Sequence, residues 1–329
     1  MSLMPAQTNA SLTNNGAASE TPSPGPNASG MLARFWGVRG SIPTPGRTTL
    51  EYGGNTSCVE VRVGDQIIIL DVGSGLRMLG RELIAEFGQR PLDLTLLLTH
   101  THWDHIQGLP FFLPVYQPQN RLRVLGYEGA RHGLEAIISS QMETPFFPIG
   151  LKEVPGNVKI EELKEMNFRL NDVQVDAFRA YHPGMCVGYR LALDGRSIAF
   201  FPDNELRYGK EAPTTQTTTI REHLTRMNNE ELSLFLRGVD VLIMDTQYDR
   251  EEYNRHVGWG HGCVDAVVKL ALASQVKQLF MFHHDPDHDD AMISKMVAHA
   301  RELIAADQGQ LQVDAAREGT TVQLETLKR

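Results

Sequence analysis

The stretch Thr99-His100-Thr101-His102-Trp103-Asp104-His105 gathers three imidazoles and a carboxylate within six residues. Both groups are ligands for a borderline divalent ion such as zinc. His100 and His102 are two apart, so in extended chain they project to one side, while Asp104 and His105 fall in the following turn and face a second position. Four ligands this close crowd a single ion. Two neighbouring ions, completed by ligands from elsewhere in the chain, suit the spacing better.

His-x-His-x-Asp-His behind the buried run Leu94 to Leu98 resembles the signature of the metallo-β-lactamase superfamily of binuclear metallohydrolases. That resemblance implies an α/β fold, a four-layer αβ/βα sandwich with the metals at one edge between two central sheets. It also implies a further His, a bridging Asp and a last His, each following a strand. Residues in matching order are His182 in Tyr181-His182-Pro183, Asp203 in Phe201-Pro202-Asp203, and His283 after Phe280-Met281-Phe282. Carried over by position, His100, His102 and His182 hold one metal, Asp104, His105 and His283 hold the other, and Asp203 bridges. His284 competes with His283 for the last place. Asp71, in Leu70-Asp71-Val72-Gly73, matches the early Asp that supports the ligands from behind by orienting their imidazoles. The implied cofactors are two divalent ions, zinc expected, with manganese or iron as alternatives.

The loop Gly53 to Cys58 resembles the substrate-side loop of the superfamily's phosphodiesterase branch. Gly258-Trp259-Gly260-His261-Gly262 lies where the tRNA 3′-processing endonucleases and related phosphodiesterases carry a His that protonates the leaving oxygen. The acid that orients it in those enzymes is usually Glu; here the matching residue is Asp245, ending Val241-Leu242-Ile243-Met244. The implied catalytic set is therefore His261, Asp245 and Asp104. Two ions of this kind supply hydroxide near neutral pH and neutralise a phosphodiester, and His261 protonates the departing alkoxide.

The elements needed to position these residues are legible in the hydrophobic pattern. Val59 to Val63 alternates, Gly64-Asp65 turns it, and Ile67 to Leu70 is a buried run, which predicts a β-hairpin. Arg77 to Phe87 has helical spacing. A helical stripe from Val264 to Leu272 precedes the strand Leu279 to Phe282, and a helix is expected over 291–305. Strands interleaved with helices indicate layered α/β architecture. Residues 1–30, with no Lys or Arg and a single acid, read as a disordered tail, and Met1-Ser2-Leu3-Met4 has the look of a vector remnant. Residues 31–329 read as one domain with a polar surface insertion at about 205–238. The acidic run Asp285 to Asp290 reads as a solvated loop.

The 329 residues carry 40 acids and 31 bases, a formal charge of −9, which argues against a protein held to nucleic acid by bulk charge. Only 20 residues separate His182 from Asp203, and a strand, turn and strand fill them, leaving no room for the substrate-gripping arm of the tRNA endonucleases. The expected partner is thus a small phosphodiester such as a cyclic nucleotide or cyclic dinucleotide, with nucleic acid disfavoured. Alternatives are a tRNA 3′-processing ribonuclease, a lactonase or other carbonyl hydrolase with the same metals, and a non-catalytic nucleotide sensor. Related proteins lead one to expect a homodimer. With neither an apolar membrane span nor a signal peptide in the pattern, the expected location is the cytoplasm. The three widely spaced cysteines read as reduced thiols.

Overall fold

A computed structural model of the protein describes residues 30–127, 133–206 and 229–325. The expected tail lies outside the described residues except for Gly30, which already opens the first strand.

Two seven-stranded sheets form among the described residues. The first comprises β1 (Gly30–Gly37), β2 (Cys58–Val63), β3 (Gln66–Leu70), β4 (Asp93–Leu97), β5 (Arg121–Gly126), β6 (Asn157–Glu162) and β14 (Thr321–Glu325), in the order β14-β1-β2-β3-β4-β5-β6. The second comprises β7 (Asn167–Leu170), β8 (Val173–Arg179), β9 (Val187–Leu193), β10 (Arg196–Phe201), β11 (Val241–Asp245), β12 (Gln278–Phe282) and β13 (Gln312–Ala315), in the order β13-β12-β11-β10-β9-β8-β7. The predicted hairpin is β2–β3, antiparallel, with Val63 opposite Gln66 across Gly64-Asp65. A second hairpin joins β9 to β10 through Asp194-Gly195 alone, both at positive φ, as a tight two-residue turn requires.

The apolar runs lie where both faces of a sheet are covered. Strands β3 to β6 pair in parallel, as do β10 to β13, and parallel strands buried on both sides need apolar residues at every position. One core fills the space between the sheets, from Phe35 and Ile68 to Phe200 and Phe282. A second lies between the first sheet and its helices Leu76–Phe87 and Gly133–Ser140, and a third packs Val264–Ala273 and Asp290–Ala306 on the second sheet. Helix, sheet, sheet, helix is the four-layer sandwich that was expected. All three cysteines are buried free thiols. No helix among the described residues is long and apolar enough to cross a membrane.

The insertion is not wholly the surface excursion its polar composition suggests. Residues 207–228 lie outside the described residues, but Glu205, Leu206, Leu232 and Leu236 at its ends are buried, the three leucines in the core of the second sheet.

Candidate metal centre

The parallel strands all end at one edge, and the chemistry-bearing residues follow those ends. Asp71 follows β3, His100 follows β4 by two residues, Asp203 follows β10 by one, Asp245 closes β11 and His283 follows β12. Asp245 pairs in register with Phe282, which brings His283 to the same level. This edge is where open α/β sheets bind ligands, because the loops there are free to carry side chains into a common crevice.

There the side chains converge. The ligand atoms of His100, His102, His182 and Asp203 lie within 4.8 Å of one another, as do those of Asp104, His105 and His283. Asp203 stands between the groups: its Oδ2 is 3.7 Å from His100 Nε2 and 3.6 Å from His182 Nε2, while its Oδ1 is 3.0 Å from His105 Nε2 and 3.3 Å from His283 Nε2. Asp104 Oδ2 closes the second group, 3.1 Å from His105 Nε2 and 3.2 Å from His283 Nε2.

Behind the ligands, other residues set the rings. His105 Nδ1 donates to Asp71 Oδ2 at 2.7 Å, His182 Nδ1 to the Gly260 carbonyl at 2.9 Å, and His283 Nδ1 to Gln247 Oε1 at 3.1 Å. The Thr99 hydroxyl donates to the Asp71 carboxylate and accepts from His100 Nδ1 at 3.1 Å. With Nδ1 carrying the proton, each Nε2 turns a lone pair into the cluster, the arrangement a metal requires. His100 Nε2, His105 Nε2 and Asp203 Oδ1 are buried and make no hydrogen bond. Buried polar atoms left unpaired are costly, and a cation shared among them removes that cost, so the residues fit a metal centre.

Backbone strain supports the same geometry. Asp71 and His283 both take left-handed φ, 57° and 60°, uncommon for residues with a Cβ and typical of functional sites. At His283 this turn sends consecutive side chains apart. His283 enters the cluster, whereas His284 is buried elsewhere, with its Nε2 on the Ala316 carbonyl at 2.9 Å. Gly40 packs so closely on the His283 ring that a Cβ there would lie 2.4 Å from it, and the next amide, Ser41, donates to Asp104 Oδ2 at 2.8 Å.

Burial pushes His100, His102 and His182 below the usual imidazole range, with neighbouring imidazoles adding to the shift. Burial opposes charge on Asp104 and Asp203, but the His105 and His283 rings hold both carboxyls well below the carboxylate range. For His105, burial favours the neutral ring, and Asp104, Asp203 and Asp71 outweigh it, raising the ring well above its ordinary value. A cation that takes His105 Nε2 displaces that proton, so affinity rises with pH as the competition fades. Zinc titrations at decreasing pH are expected to show weaker binding with more protons released. Asp71→Asn, which keeps the shape but removes the charge that orients His105, is expected to lower zinc affinity roughly 10- to 100-fold in the same titration.

His261 sits at the rim of the cluster, its Nδ1 3.0 Å from Asp245 Oδ2 and 3.8 Å from Asp203 Oδ2. Burial disfavours its charged form, but Asp245 and then Asp203 and Asp104 prevail and raise it to about 9. Glu205, which the sequence pattern does not single out, fixes this loop from below. Its buried carboxylate accepts from the Gly258 amide at 2.9 and 3.1 Å, the Gly260 amide at 2.9 Å and the Tyr253 hydroxyl at 3.0 Å. Gln247 was likewise unforeseen, since a lone Gln after a strand carries no chemical signature.

The Gly53–Cys58 loop buttresses the site: Asn55 is held by Glu318 and Ser74, and the Ser57 hydroxyl donates to Asp71 at 3.0 Å. The acidic run is a structured turn. Arg39 is fully buried and donates to the carbonyls of Asp285 and His288, Asp289 caps the helix that follows, and Asp290 accepts from the Glu51 and Tyr52 amides.

A four-layer sandwich with this His/Asp cluster at its sheet edge defines the class of metal-dependent hydrolases. The chain belongs to the Beta-lactamase superfamily domain family, whose pattern it matches over residues 68–284. It is 24% identical to the ribonuclease Z of Haloferax volcanii, over 83% of this chain and 90% of that protein. In fold it resembles the metallo-beta-lactamase fold protein YhfI of Bacillus subtilis, TM-score 0.62 at 15% identity, covering 90% of this chain and 100% of that one. It resembles the short form of human tRNase Z with TM-score 0.57 at 17% identity, covering 88% and 98% of the two chains. These relatives overturn the expectation of a small phosphodiester with nucleic acid disfavoured, because ribonucleases stand among the curated proteins it is similar to. Net charge is a property of the whole surface and does not report on the local field of one site.

Proposed function

We propose that this protein is a metal-dependent phosphodiesterase that cleaves RNA, with 3′-processing of tRNA precursors as its reaction. The observation that carries the reading is His261, a ring held charged at neutral pH by Asp245 at the rim of the metal cluster. A protonated acid at that place serves a poor leaving group such as the alkoxide of a ribose, and the ribonuclease Z relatives, matched over nearly their whole length, support RNA as the source of that alkoxide.

In this reading His100, His102 and His182 hold one divalent ion, Asp104, His105 and His283 a second, and Asp203 serves both, with zinc the expected metal. When bound, the ions supply Lewis acidity and neutralise the charge of the phosphodiester. The chain's own part is orientation and proton transfer. Asp245 accepts from His261 Nδ1–H, which leaves Nε2–H to be donated to the departing oxygen. Asp71, Gln247 and the Gly260 carbonyl hold the other rings so that little reorganisation accompanies the reaction. The test is incubation of the zinc- or manganese-loaded protein with a tRNA precursor bearing a 3′ trailer. Removal of the trailer is expected; a loaded protein that leaves it intact contradicts the reading.

A further inference from the structure

The chain has three tryptophans. Trp36 is buried, with its Nε1 donating to Glu60 at 2.9 Å, whereas Trp103 and Trp259 are 73% and 60% exposed. An exposed indole forgoes the burial of a large apolar surface. A single such residue needs no explanation, but these two share one neighbourhood. Trp103 stands between His102 and Asp104. Trp259 stands two residues before His261 and next to Gly260, whose carbonyl holds His182 at 2.9 Å. His182 Nε2 and His102 Nδ1 are 3.0 Å apart, so the segments that carry the two tryptophans both adjoin this pair of imidazoles.

The backbone beneath Trp259 is fixed. Gly258 and Gly260 take φ of 94° and 92°, which a residue with a Cβ rarely adopts, and both amides are tied to Glu205. The His256 ring meets the Trp259 ring edge-on at 4.7 Å and itself stacks on Tyr248 at 4.5 Å. Trp103 opens the short helix Trp103–Ile106, whose other three residues are buried. Each indole is therefore an outward-facing group on an anchored frame.

We infer that Trp103 and Trp259 form a stacking subsite for unpaired nucleobases on either side of the scissile phosphodiester. The inference rests on the RNA-cleaving reading above. A phosphodiester at the metal centre lays its two adjoining nucleosides against the surroundings of the cluster, where Trp103 and Trp259 are the exposed tryptophans. Every base has a π-face, so stacking tolerates any sequence at the cut. The two-residue turn between β9 and β10 leaves no gripping arm there, so stacking supplies a hold on the RNA that such an arm would otherwise give.

The test uses the full metal-loaded chain, a tRNA precursor with a 3′ trailer, and the same RNA made abasic at the two nucleotides flanking the cut. Trp103→Leu and Trp259→Leu are expected to weaken kcat/KM on the intact RNA roughly 5- to 150-fold each, mainly through KM. Trp259→Tyr is expected to restore most of the loss, and the gap between variant and unaltered protein is expected to close on the abasic RNA. Equal losses on both RNAs, or none, overturn the inference, as does a change in oligomeric state with cleavage unaltered. A second measurement does not depend on turnover: quenching of tryptophan fluorescence by a single-stranded oligoribonucleotide, with Trp103→Phe and Trp259→Phe identifying the source. Quenching without cleavage sustains the subsite and removes the catalytic reading; cleavage without quenching does the reverse.

Discussion

Replacing His261 with Ala is expected to slow RNA cleavage roughly 10²- to 10⁴-fold, the range over which a positioned general acid acts. The same variant is expected to lose far less on bis(p-nitrophenyl) phosphate, whose leaving phenolate departs with little need of a proton. The contrast follows from geometry: the ring is 3.0 Å from Asp245 Oδ2 and sits at the rim of the cluster, so its removal leaves the ligand set in place. The pH dependence carries the same signature. With its proton retained up to about 9, His261 supplies acid throughout the neutral range, and the rate on RNA falls on the alkaline side as that proton is lost. Bound cations cancel the share of the shift due to Asp203 and Asp104 and leave that of Asp245, so the limb falls below 9 and above the ordinary imidazole value. In His261→Ala this limb is expected to vanish. Asp245→Asn, which keeps the contact but removes the charge, is expected to move the limb to lower pH.

The largest effect is expected from Asp203→Asn. Asp203 approaches five imidazoles and stands between both halves of the cluster. An amide there cannot supply negative charge to both sides, and its NH₂ faces the imidazole nitrogens that would hold the metals. Loss of bound metal by elemental analysis and a fall in turnover on the order of 10³-fold or more are expected together on every phosphodiester tried. The metal-free variant is expected to remain folded by circular dichroism, because the strands on both sides of Asp203 are held by an apolar core that the cluster does not enter. A variant that keeps both its metal and its rate removes Asp203 from the centre.

Much of the cluster was legible because its residues follow strands whose apolar runs mark where they end. Leu94 to Leu98 points to His100 and His102, Phe280 to Phe282 points to His283, and Val241 to Met244 points to Asp245 at its rim. Only the strand end favoured His283 over His284; the left-handed turn that sends their side chains apart was not legible, because it falls at a residue that is not glycine. Periodicity also misjudged the ends of the 205–238 segment, where isolated apolar residues such as Leu232 and Leu236 pack into the core from a polar stretch. Glu205 and Gln247 were missed for a related reason. Each acts through backbone amides or a ring nitrogen distant in sequence, and no spacing along the chain records such a contact. The partner was misread because charge was summed over the molecule and because a missing arm was taken to exclude nucleic acid, whereas neither reports on the local field of one site.

One centre is expected both to hold metal and to cut RNA, and a single titration addresses both. Protein stripped with a chelator is reloaded stepwise with zinc, and bound metal and removal of a tRNA 3′ trailer are followed in the same samples. Cleavage that is absent without metal and rises to its maximum as the second equivalent binds is the predicted result. Cleavage that persists in the chelator, or a protein saturated with zinc that leaves the trailer attached, contradicts it.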